Sequence, residues 1–299
     1  MAGQPGSVKA MPFSFIILTY NSSSYIRGIL DSIFDIAGDI ISKGQAEVLV
    51  VDNESSDDTL KIAYEYGEKI HIKQSGGNLG YAKGINKAVE FAKGDFLVIV
   101  NPDAKLLEFE YGKILDTFER DKKLAAAGLS IQNFEGIHEE TCGNFFNPFT
   151  FLLYAMGFEK LAKVRFAGHK VQYVDFVSGG FIIFRKSYFD ELKGYDEDYF
   201  MYVEDMDICK RIYKKGLKTA FLPYGKILHK GQGSSSRQFA IVNIYKGLVT
   251  FYSKHSNFFG LLYVKILLRI KAVLIIFIGT FLGKKDTIGA YTKALKAIS

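Results

Sequence analysis

The sequence has few cysteines and no tryptophan, and it shows no secretory signal. Its two cysteines, Cys142 and Cys209, stand far apart in a chain of 299 residues. Without a CxxC pair, a disulfide framework and a zinc knuckle are both disfavoured. The opening MAGQPGSVKA is polar and glycine-rich, unlike a signal peptide. These absences favour a reducing compartment, with a core built from the 48% of residues that are hydrophobic.

Two glycine-rich phosphate-binding motifs are also absent. The loop after the first predicted strand, LTYNSSS, contains no glycine. It therefore lacks the G-x-G-x-x-G turn of a dinucleotide-binding domain, in which Asp52 would be the acid that binds a ribose. No G-x-x-x-x-G-K-[ST] sequence occurs either, which excludes a P-loop. A nucleotide diphosphate would have to be held by other means, and a divalent metal on a carboxylate is one of them.

Basic residues are concentrated at the C-terminal end. Residues 1–240 contain 29 Lys or Arg and 31 Asp or Glu, whereas residues 241–299 contain nine Lys or Arg and only one acid, Asp286. A nucleic-acid binder usually carries its basic patch on the folded body, so no nucleic-acid partner is expected. We predict two parts instead, a body of residues 1–240 and a basic, apolar tail of residues 241–299 that associates with an anionic membrane surface.

The tail has no apolar run that is long enough to cross a bilayer. Three cations, Lys265, Arg269 and Lys271, interrupt the first part of Phe258–Gly283. The uninterrupted run, Ala272–Leu282, has 11 residues, and a membrane span needs about 20. We therefore predict an amphipathic helix that lies in the plane of the membrane, with a core-packing helix as the alternative.

Strand-like and helix-like segments alternate through the first hundred residues. Four apolar runs predict buried strands, namely FSFIILTY, AEVLVVDN, KIHIKQ and FLVIV. The segments between them have helical spacing, and two of these helices are closed by Gly67 and Gly94. This alternation predicts an α/β fold with a mostly parallel sheet flanked by helices.

Polar residues and glycines follow each predicted strand. The carboxyl ends of parallel strands share one edge, which is where ligands bind in such sheets, so we expect one site there. Asp103 is well placed to bind Mg²⁺ or Mn²⁺, which take one or two carboxylates together with phosphate oxygens. The four groups are Thr19-Tyr20-Asn21, Asp52-Asn53, Gly76-Gly77-Asn78 and Asn101-Pro102-Asp103.

Five segments in order resemble family 2 glycosyltransferases of GT-A fold, in particular the rhamnosyltransferase-like branch. They are SFIILTYNSSSYIRGILDSI, EVLVVDNESSDDT, GGNLGYAKGINKA, VIVNPDA and FMYVEDMDICKRIYKKG. The resemblance covers roughly residues 13–236. It implies a metal-dependent, inverting transfer of a sugar from a nucleotide diphosphate to an acceptor hydroxyl. The basic, apolar tail would bring the enzyme to the inner face of the cell membrane.

The resemblance also implies roles for individual residues. Thr19, Tyr20, Asn21 and Asp52, with Asn53 beside them, would bind the nucleobase. Gly77, Asn78, Gly80, Tyr81, Gly84 and Asn86 would lie along the nucleotide and the sugar. The metal motif Asp-x-Asp of the family is Asn101-Pro102-Asp103 here, so Asp103 carries more of the ligation, and His229 matches a histidine that would be a second ligand.

A helix start later in the chain supplies the candidate base. An inverting displacement needs one carboxylate to take the proton from the attacking hydroxyl. In YVEDMDIC the resemblance assigns this role to Asp205, with Glu204 beside it, and the helix N-terminus favours an ionised side chain. Asp207 is predicted to be solvated or a cap. The paired glycines Gly179 and Gly180 allow a ligand to approach the backbone, or else form a tight turn.

Several functions fit these residues. The first choice is transfer of L-rhamnose from dTDP-rhamnose to a lipid-linked or cell-surface glycan. A UDP-hexose, a UDP-N-acetylhexosamine and UDP-galactofuranose are alternative donors. From other classes, a nucleotidyltransferase would need a Gly-rich, basic loop after the first strand, which LTYNSSSYIRG does not provide, and a non-catalytic membrane scaffold could keep the same fold.

Overall fold

A central sheet of nine strands with helices on both faces organises the chain. The structure is a computed structural model that describes residues 11–229 and 236–298. In chain order the strands are β1 Phe13–Thr19, β2 Ala46–Asp52, β3 His71–Gln74, β4 Phe96–Val100, β5 Ala104–Phe109, β6 Leu124–Gln132, β7 Cys142–Gly143, β8 Arg165–Phe166, β9 Gln172–Val174, β10 Phe176–Val177, β11 Phe181–Arg185 and β12 Lys218–His229.

The helices cover both faces of this sheet. They are α1 Ile26–Ser42, α2 Thr59–Tyr64, α3 Tyr81–Val89, α4 Tyr111–Arg120, α5 Pro148–Ala155, α6 Glu159–Ala162, α7 Lys186–Glu191, α8 Glu204–Lys214, α9 Arg237–His255, α10 Phe258–Phe281 and α11 Lys285–Ala297. A short 3-10 helix covers Gly67–Lys69.

The predicted alternation produces the parallel half of the sheet. Strands β3, β2, β1 and β4 are neighbours in that order, and all three pairings are parallel. Every residue of β1, β2 and β4 is buried, as expected of apolar strands with helices on both faces. Their carboxyl ends meet at one edge, where Thr19 pairs with Asp52 and Asp52 with Gln74.

The second half of the sheet contains strands of both directions. The order continues through β11, β6, β12 and β5, with β9 also paired to β12. Strand β11 is antiparallel to β4 and β6, whereas β12 is parallel to β6 and antiparallel to β5. The predicted α/β fold, with a mostly parallel sheet at the ligand edge and flanking helices, is confirmed.

The tail helices share a core with the sheet. Tyr245, Leu248 and Val264 belong to the same buried cluster as Ile16 of β1 and Phe176 of β10. The predicted boundary after residue 240 falls inside α9, and the division into two domains stays a prediction. Within the two described ranges, no helix is both long and apolar enough to cross a membrane.

The segment between β7 and β8 has no helical period in its sequence, although it forms helix α5. Asn147 caps the helix, since its side chain accepts from the Thr150 N–H while the Thr150 hydroxyl accepts from the Asn147 N–H. Phe151 is buried and Phe149 is 66% exposed. Apolar side chains on both faces erase the amphipathic pattern by which a surface helix is recognised.

Candidate active site

A cleft of about 420 Å³ opens at the carboxyl edge of the parallel strands. Seven of the predicted binding residues contribute to its wall. They come from the loops after β1, β2 and β4 and from the start of α3. These residues are Thr19, Tyr20, Asn53, Asn78, Gly80, Tyr81 and Asn101. The structure therefore brings together the polar groups that follow separate strands in the sequence.

A buried carboxylate fixes the loops below the cleft. Asp52 is fully buried and accepts hydrogen bonds from the Thr19 hydroxyl at 2.8 Å, the Ser55 N–H at 2.8 Å and the Ser55 hydroxyl at 2.5 Å. Asn21, in the left-handed region at φ +49°, accepts from the Ser56 N–H at 2.8 Å. These bonds hold the loops after β1 and β2 against each other. Contact of Asp52 or Asn21 with a nucleobase stays a prediction.

The turn into α3 forms one wall of the cleft. Asn53 donates to the Gly80 carbonyl at 2.9 Å, and the Tyr81 N–H donates to the Phe200 carbonyl at 2.6 Å. Gly80 has a φ of +78°, and a Cβ there would lie 2.5 Å from the Phe200 carbonyl oxygen. Glycine is required at Gly80 by both its backbone conformation and the close approach of Phe200.

Three other predicted binding residues lie outside the cleft wall. Gly84 faces Leu18, where a Cβ would be 2.7 Å from a methyl group. Asn86 donates to the Tyr195 carbonyl and accepts from the Tyr195 N–H, both at 2.8 Å. Gly77 accepts from the Ser75 hydroxyl within its own turn. These contacts give the three residues packing and turn-forming roles, and direct contact with a nucleotide-sugar stays a prediction.

Asp103 and His229 face each other across adjacent strand ends. The His229 Nε2 is 3.4 Å from Asp103 Oδ1, and the His229 Nδ1 is 3.7 Å from Glu139 Oε2. Both Asp103 Oδ1 and His229 Nδ1 are buried without a hydrogen-bond partner. Burial disfavours a charged imidazole, but the Asp103 and Glu139 carboxylates outweigh it and raise the pKa of His229.

The donor set around Asp103 fits two protein ligands for a divalent cation. A carboxylate and an imidazole suit Mn²⁺, and the remaining positions suit phosphate oxygens and water. Asn101 stands on the same loop, and its N–H donates to the Gly180 carbonyl at 3.3 Å. In the described parts of the chain, no three or more His, Cys, Asp or Glu side chains are grouped so as to hold a metal by themselves.

The candidate base is linked to the cleft through one glycine. The Asp205 Oδ2 accepts from the Gly179 N–H at 3.1 Å, and the Gly179 carbonyl accepts from the Tyr81 hydroxyl at 3.0 Å. Burial, together with Glu204 and Asp205, raises the pKa of Tyr81 well above its usual value, so the phenol stays protonated and donates. Asp205 itself is half-buried at the first turn of α8, where the helix N-terminus favours a negative charge.

Glu204 has different surroundings from Asp205. Its side chain is buried, and its Oε2 has no hydrogen-bond partner. Burial, with a smaller contribution from the Asp205 charge, raises the pKa of Glu204 to about 8. Glu204 is therefore mostly protonated at neutral pH, and of the two adjacent acids Asp205 is the one suited to accept a proton.

The prediction that Asp207 is solvated or a cap is wrong. Asp207 is fully buried, and it accepts from Arg211 Nε at 2.7 Å and lies 2.7 Å from His255 Nε2. Burial opposes its ionisation, but the bonds from His255 and Arg211 outweigh burial and lower the pKa of Asp207. His255 comes from α9, 48 residues further along the chain, which is why local sequence gave no sign of this pairing.

Six residues of the cleft wall were not predicted from sequence, and two of them, Leu18 and Ser22, flank the predicted group after β1. Phe200 and Met201 precede α8, and Ser236 and Phe239 begin α9. The rings of Phe200 and Phe239 are 6.1 Å apart in an edge-to-face arrangement. The available signal was the position of Phe200 and Met201 immediately before the acidic helix start, whereas Phe239 reaches the cleft only through tertiary packing.

A family model matches most of the sheet region. The model described as "Glycosyl transferase family 2" matches residues 14–193, and one described as "N-terminal domain of galactosyltransferase" matches residues 161–231. The chain is 25% identical over 251 residues to an N-acetylglucosaminyl-diphospho-decaprenol L-rhamnosyltransferase of Mycobacterium tuberculosis, covering 74% of this chain and 77% of that protein. It is 26% identical over 224 residues to rhamnosyltransferase WbbL of Escherichia coli, covering 72% and 81%.

Solved structures show the same fold at low sequence identity. A mannosyltransferase of Pyrobaculum calidifontis, solved with GDP-Man and Mn²⁺, aligns over 97% of this chain and 86% of its own, at 17% identity and a TM-score of 0.56. GalNAc-T7, solved with UDP, GalNAc and Mn²⁺, aligns over 82% of this chain at 16% identity and a TM-score of 0.60. This chain spans about half of GalNAc-T7, 48% of its length.

Proposed function

The chain belongs to glycosyl transferase family 2 and is therefore a glycosyltransferase, and we propose that it moves L-rhamnose from dTDP-rhamnose to a hydroxyl of a lipid-linked or cell-surface glycan. The rhamnosyltransferase relatives support this choice of sugar. A UDP-hexose, a UDP-N-acetylhexosamine and UDP-galactofuranose are the alternative donors. Family membership removes support from the nucleotidyltransferase and from the non-catalytic scaffold.

The link between the cleft and Asp205 carries this proposal. Tyr81 lines the cleft, its hydroxyl bonds to the Gly179 carbonyl, and the Gly179 N–H bonds to Asp205 Oδ2. A nucleotide bound along the strand ends would thus have its sugar end near a half-exposed carboxylate. That carboxylate can accept a proton without leaving its place, because the Gly179 and Met206 N–H groups orient it.

The proposed reaction is a single displacement with inversion. Asp205 takes the proton of the acceptor hydroxyl, and the hydroxyl oxygen forms a bond to the anomeric carbon of the sugar. The bond from this carbon to the diphosphate oxygen breaks, and the nucleoside diphosphate leaves with the electron pair. The proton remains on Asp205 until it passes to water. Because Glu204 is mostly neutral at pH 7, it does not place a second negative charge beside Asp205.

Asp103 and His229 are the proposed metal-binding residues. Their facing oxygen and nitrogen atoms, and the missing hydrogen bond at Asp103 Oδ1, support this assignment. When bound, Mn²⁺ or Mg²⁺ neutralises charge on the leaving diphosphate. Asn101 cannot add a second charge as the acid of an Asp-x-Asp motif would, so we propose that it contributes an amide to the same edge.

The outward face of α10 supports a role at the inner face of the cell membrane. Large apolar side chains run along the whole helix and are exposed, from Phe259 at 75% to Phe281 at 78%. The others are Phe258, Leu262, Ile266, Ile270, Val273, Leu274, Phe277 and Ile278. Soluble proteins rarely expose so many adjacent apolar side chains, and Arg269 on the same helix suits anionic lipid.

Helices α5 and α6 extend this apolar face. The Tyr263 hydroxyl of α10 donates to the Pro148 carbonyl at the start of α5, and the Lys271 ammonium of α10 donates to the Tyr154 carbonyl and to Glu159. Both helices thus lie beside α10. The exposed apolar side chains of α5, α6 and the link between them are Phe149, Leu152, Met156, Phe158 and Leu161. A two-part surface of this kind suits an enzyme whose acceptor is anchored in lipid.

A panel of nucleotide-sugars tests the proposed function. We expect transfer or slow hydrolysis with dTDP-rhamnose in the presence of Mn²⁺ or Mg²⁺, and loss of activity with a chelator. UDP-glucose, UDP-N-acetylglucosamine, UDP-galactofuranose and GDP-mannose serve as alternatives. Turnover with another donor and none with dTDP-rhamnose would reject the proposed sugar but not the enzyme class.

The variant Asp205→Asn tests the base. Because a general base contributes about 10²–10⁴-fold to rate, we expect kcat to fall by that factor, while nucleotide affinity by calorimetry stays unchanged. Asp190→Asn, which removes one exposed carboxylate on α7 away from the cleft, is the control for loss of one charge. Transfer by Asp205→Asn at the parental rate would refute the assignment of the base.

A further inference from the structure

The turn before α8, the helix that carries the proposed base Asp205, has an unfavourable backbone conformation. Tyr202 and Val203 have φ angles of +72° and +74°, and they immediately precede Glu204 and Asp205. This left-handed region is disfavoured for residues other than glycine, most of all for a β-branched one such as Val203. Such residues are unfavourable by themselves, so the surrounding structure must hold them in place.

Helix α9 covers this turn and approaches it closely. Gly247, in the middle of α9, is buried against the turn. A Cβ at Gly247 would lie 2.8 Å from the Tyr202 carbonyl oxygen and 2.8 Å from Val203 Cγ2. Any larger residue would push the helix away from the turn or push the turn toward α8. A glycine inside a helix is destabilising relative to alanine, and the close approach of the turn is a packing reason for its presence here.

A second contact joins the end of α9 to α8, the helix that carries the proposed base. Lys214 Nζ lies 2.8 Å from His255 Nδ1, and His255 Nε2 lies 2.7 Å from Asp207 Oδ1. A lysine ammonium can only donate, so Nδ1 accepts and the Nε2–H donates to Asp207. Asp207 follows Asp205 by two residues and is fully buried. The His255 side chain therefore fixes α8 one half-turn after the base.

We propose that α9 positions the catalytic base, with Gly247 and His255 as its positioning residues. Gly247 lets α9 hold the left-handed turn before α8, and His255 holds α8 through Asp207. Together they set the direction in which Asp205 leaves the helix. This inference rests on the proposed role of Asp205, and it adds that two residues of the predicted tail, Gly247 and His255, determine the geometry of that carboxylate.

The first test compares two glycine-to-alanine changes in tail helices. In Gly247→Ala the new methyl group meets the turn, whereas in Gly289→Ala of α11 it has ordinary contact at 3.8 Å from Gln238. We expect Gly247→Ala to lower kcat about 10- to 100-fold, because a displacement of about 1 Å at a reacting group costs that much. The KM for the nucleotide-sugar should stay within twofold, and Gly289→Ala should match the parent in both constants.

Two outcomes of this comparison would overturn the proposal. One is a kcat of Gly247→Ala within twofold of Gly289→Ala. The other is a loss that appears in KM as much as in kcat, since that would indicate damage to the cleft and not displacement of the base. The variant Asp205→Asn separates the proposed role of Asp205 from the proposed role of α9. If Asp205→Asn is inactive and Gly247→Ala is fully active, Asp205 remains the proposed base and the positioning role of α9 is refuted.

The second test removes or retains the hydrogen bond to Asp207, and it applies even if Gly247→Ala does not fold. Gln at position 255 can still donate to Asp207, whereas Phe cannot and keeps the ring that lies 4.7 Å from the Phe251 ring. We expect His255→Phe to lower kcat at least tenfold with an unchanged KM, and His255→Gln to stay within about threefold of the parent. Equal kcat values for the two variants would overturn the proposal.

Discussion

At the scale of single residues, two adjacent carboxyl groups acquire opposite properties from their surroundings. Glu204 is buried without a hydrogen bond at Oε2, and the pKa of this group rises to about 8. Asp205 is half-buried and accepts from two backbone N–H groups, those of Gly179 and Met206. The same helix N-terminus therefore presents one neutral acid and one oriented carboxylate. Sequence alone assigns both acids to the reaction, because it cannot distinguish their burial.

Glu204 makes stability depend on pH in a defined direction. Its pKa is raised from 4.5 to about 8 in the folded protein, so folding favours the protonated form. The stability from this group is complete below about pH 4.5 and is lost as pH rises through about 8. We expect the melting temperature of the parent to fall between pH 6 and pH 9 relative to Glu204→Gln, measured by scanning calorimetry.

The same variant distinguishes the role of Glu204 from that of the proposed base, Asp205. Gln resembles the neutral acid, so Glu204→Gln should keep turnover at pH 7 within a few-fold of the parent. Glu191→Gln, an exposed carboxylate on α7, is the control for loss of one charge. Parallel melting curves for the parent and Glu204→Gln across this pH range would contradict the assigned protonation state.

At the scale of elements, a helix or strand is predictable from sequence when residues close together in the chain determine it. The parallel strands are recognisable because each is an apolar run that ends in polar residues, and their shared edge follows from the direction of the strands. The pairing of Asp103 with His229 required the family resemblance, since β4 and β12 are far apart in the chain. Helix α5 has apolar side chains on its buried and exposed faces, so no period identified it. Phe239 enters the cleft only because α9 packs beside Phe200.

The junction between α3 and the loop before α8 depends on a single glycine. Gly80 and Gly76 have nearly equal φ angles of +78° and +81°. A Cβ at Gly80 would collide with Phe200, whereas one at Gly76 would meet nothing within 4 Å. Both alanine variants incur the cost of a positive φ, and Gly80, with a ψ of −175°, lies in a backbone region that is populated almost only by glycine. Gly80→Ala should lose a further 1–3 kcal/mol from the collision, measured by urea unfolding.

Nucleotide binding gives a second measure of this junction. The Gly80 carbonyl accepts from Asn53, a residue of the cleft wall, so Gly80→Ala should also weaken nucleotide affinity. Gly76→Ala should bind the nucleotide like the parent. Equal unfolding free energies for the two alanine variants would show that the loop of Phe200 can move aside at little cost.

At the scale of the whole molecule, charge and exposed apolar surface are concentrated together. The first 240 residues carry two more acids than bases, and residues 241–299 carry eight more bases than acids. The same C-terminal stretch contains the exposed apolar face of α10, and α5 and α6 lie beside it. Apolar burial in a membrane and attraction to anionic lipid would therefore act on one side of the protein.

Flotation with vesicles tests this membrane surface on the full chain. The triple variant Ile270→Gln, Phe277→Gln and Phe281→Gln removes apolar area from the outward face of α10. Each fully buried side chain of this size contributes about 1.5–3 kcal/mol, so even partial insertion predicts at least tenfold weaker binding to phosphatidylglycerol vesicles. Ile36→Gln with Tyr64→Gln, two exposed apolar residues of α1 and α2, is the control. Undiminished binding of the triple variant would refute the surface.

The core that α10 shares with the sheet has an evolutionary and a practical consequence. Its inward residues, such as Val264, Leu268 and Ala272, are buried in one cluster with residues of β1 and β4, whereas its outward residues are exposed. Deleting α10 would remove residues of the hydrophobic core and expose the residues that pack against them. A truncated chain without α10 is therefore not expected to fold into an active fragment. Substitution on the outward side leaves that interior intact. If the outward side binds lipid as we propose, a lineage could change its affinity for different membranes while the residues for sugar transfer stay unchanged.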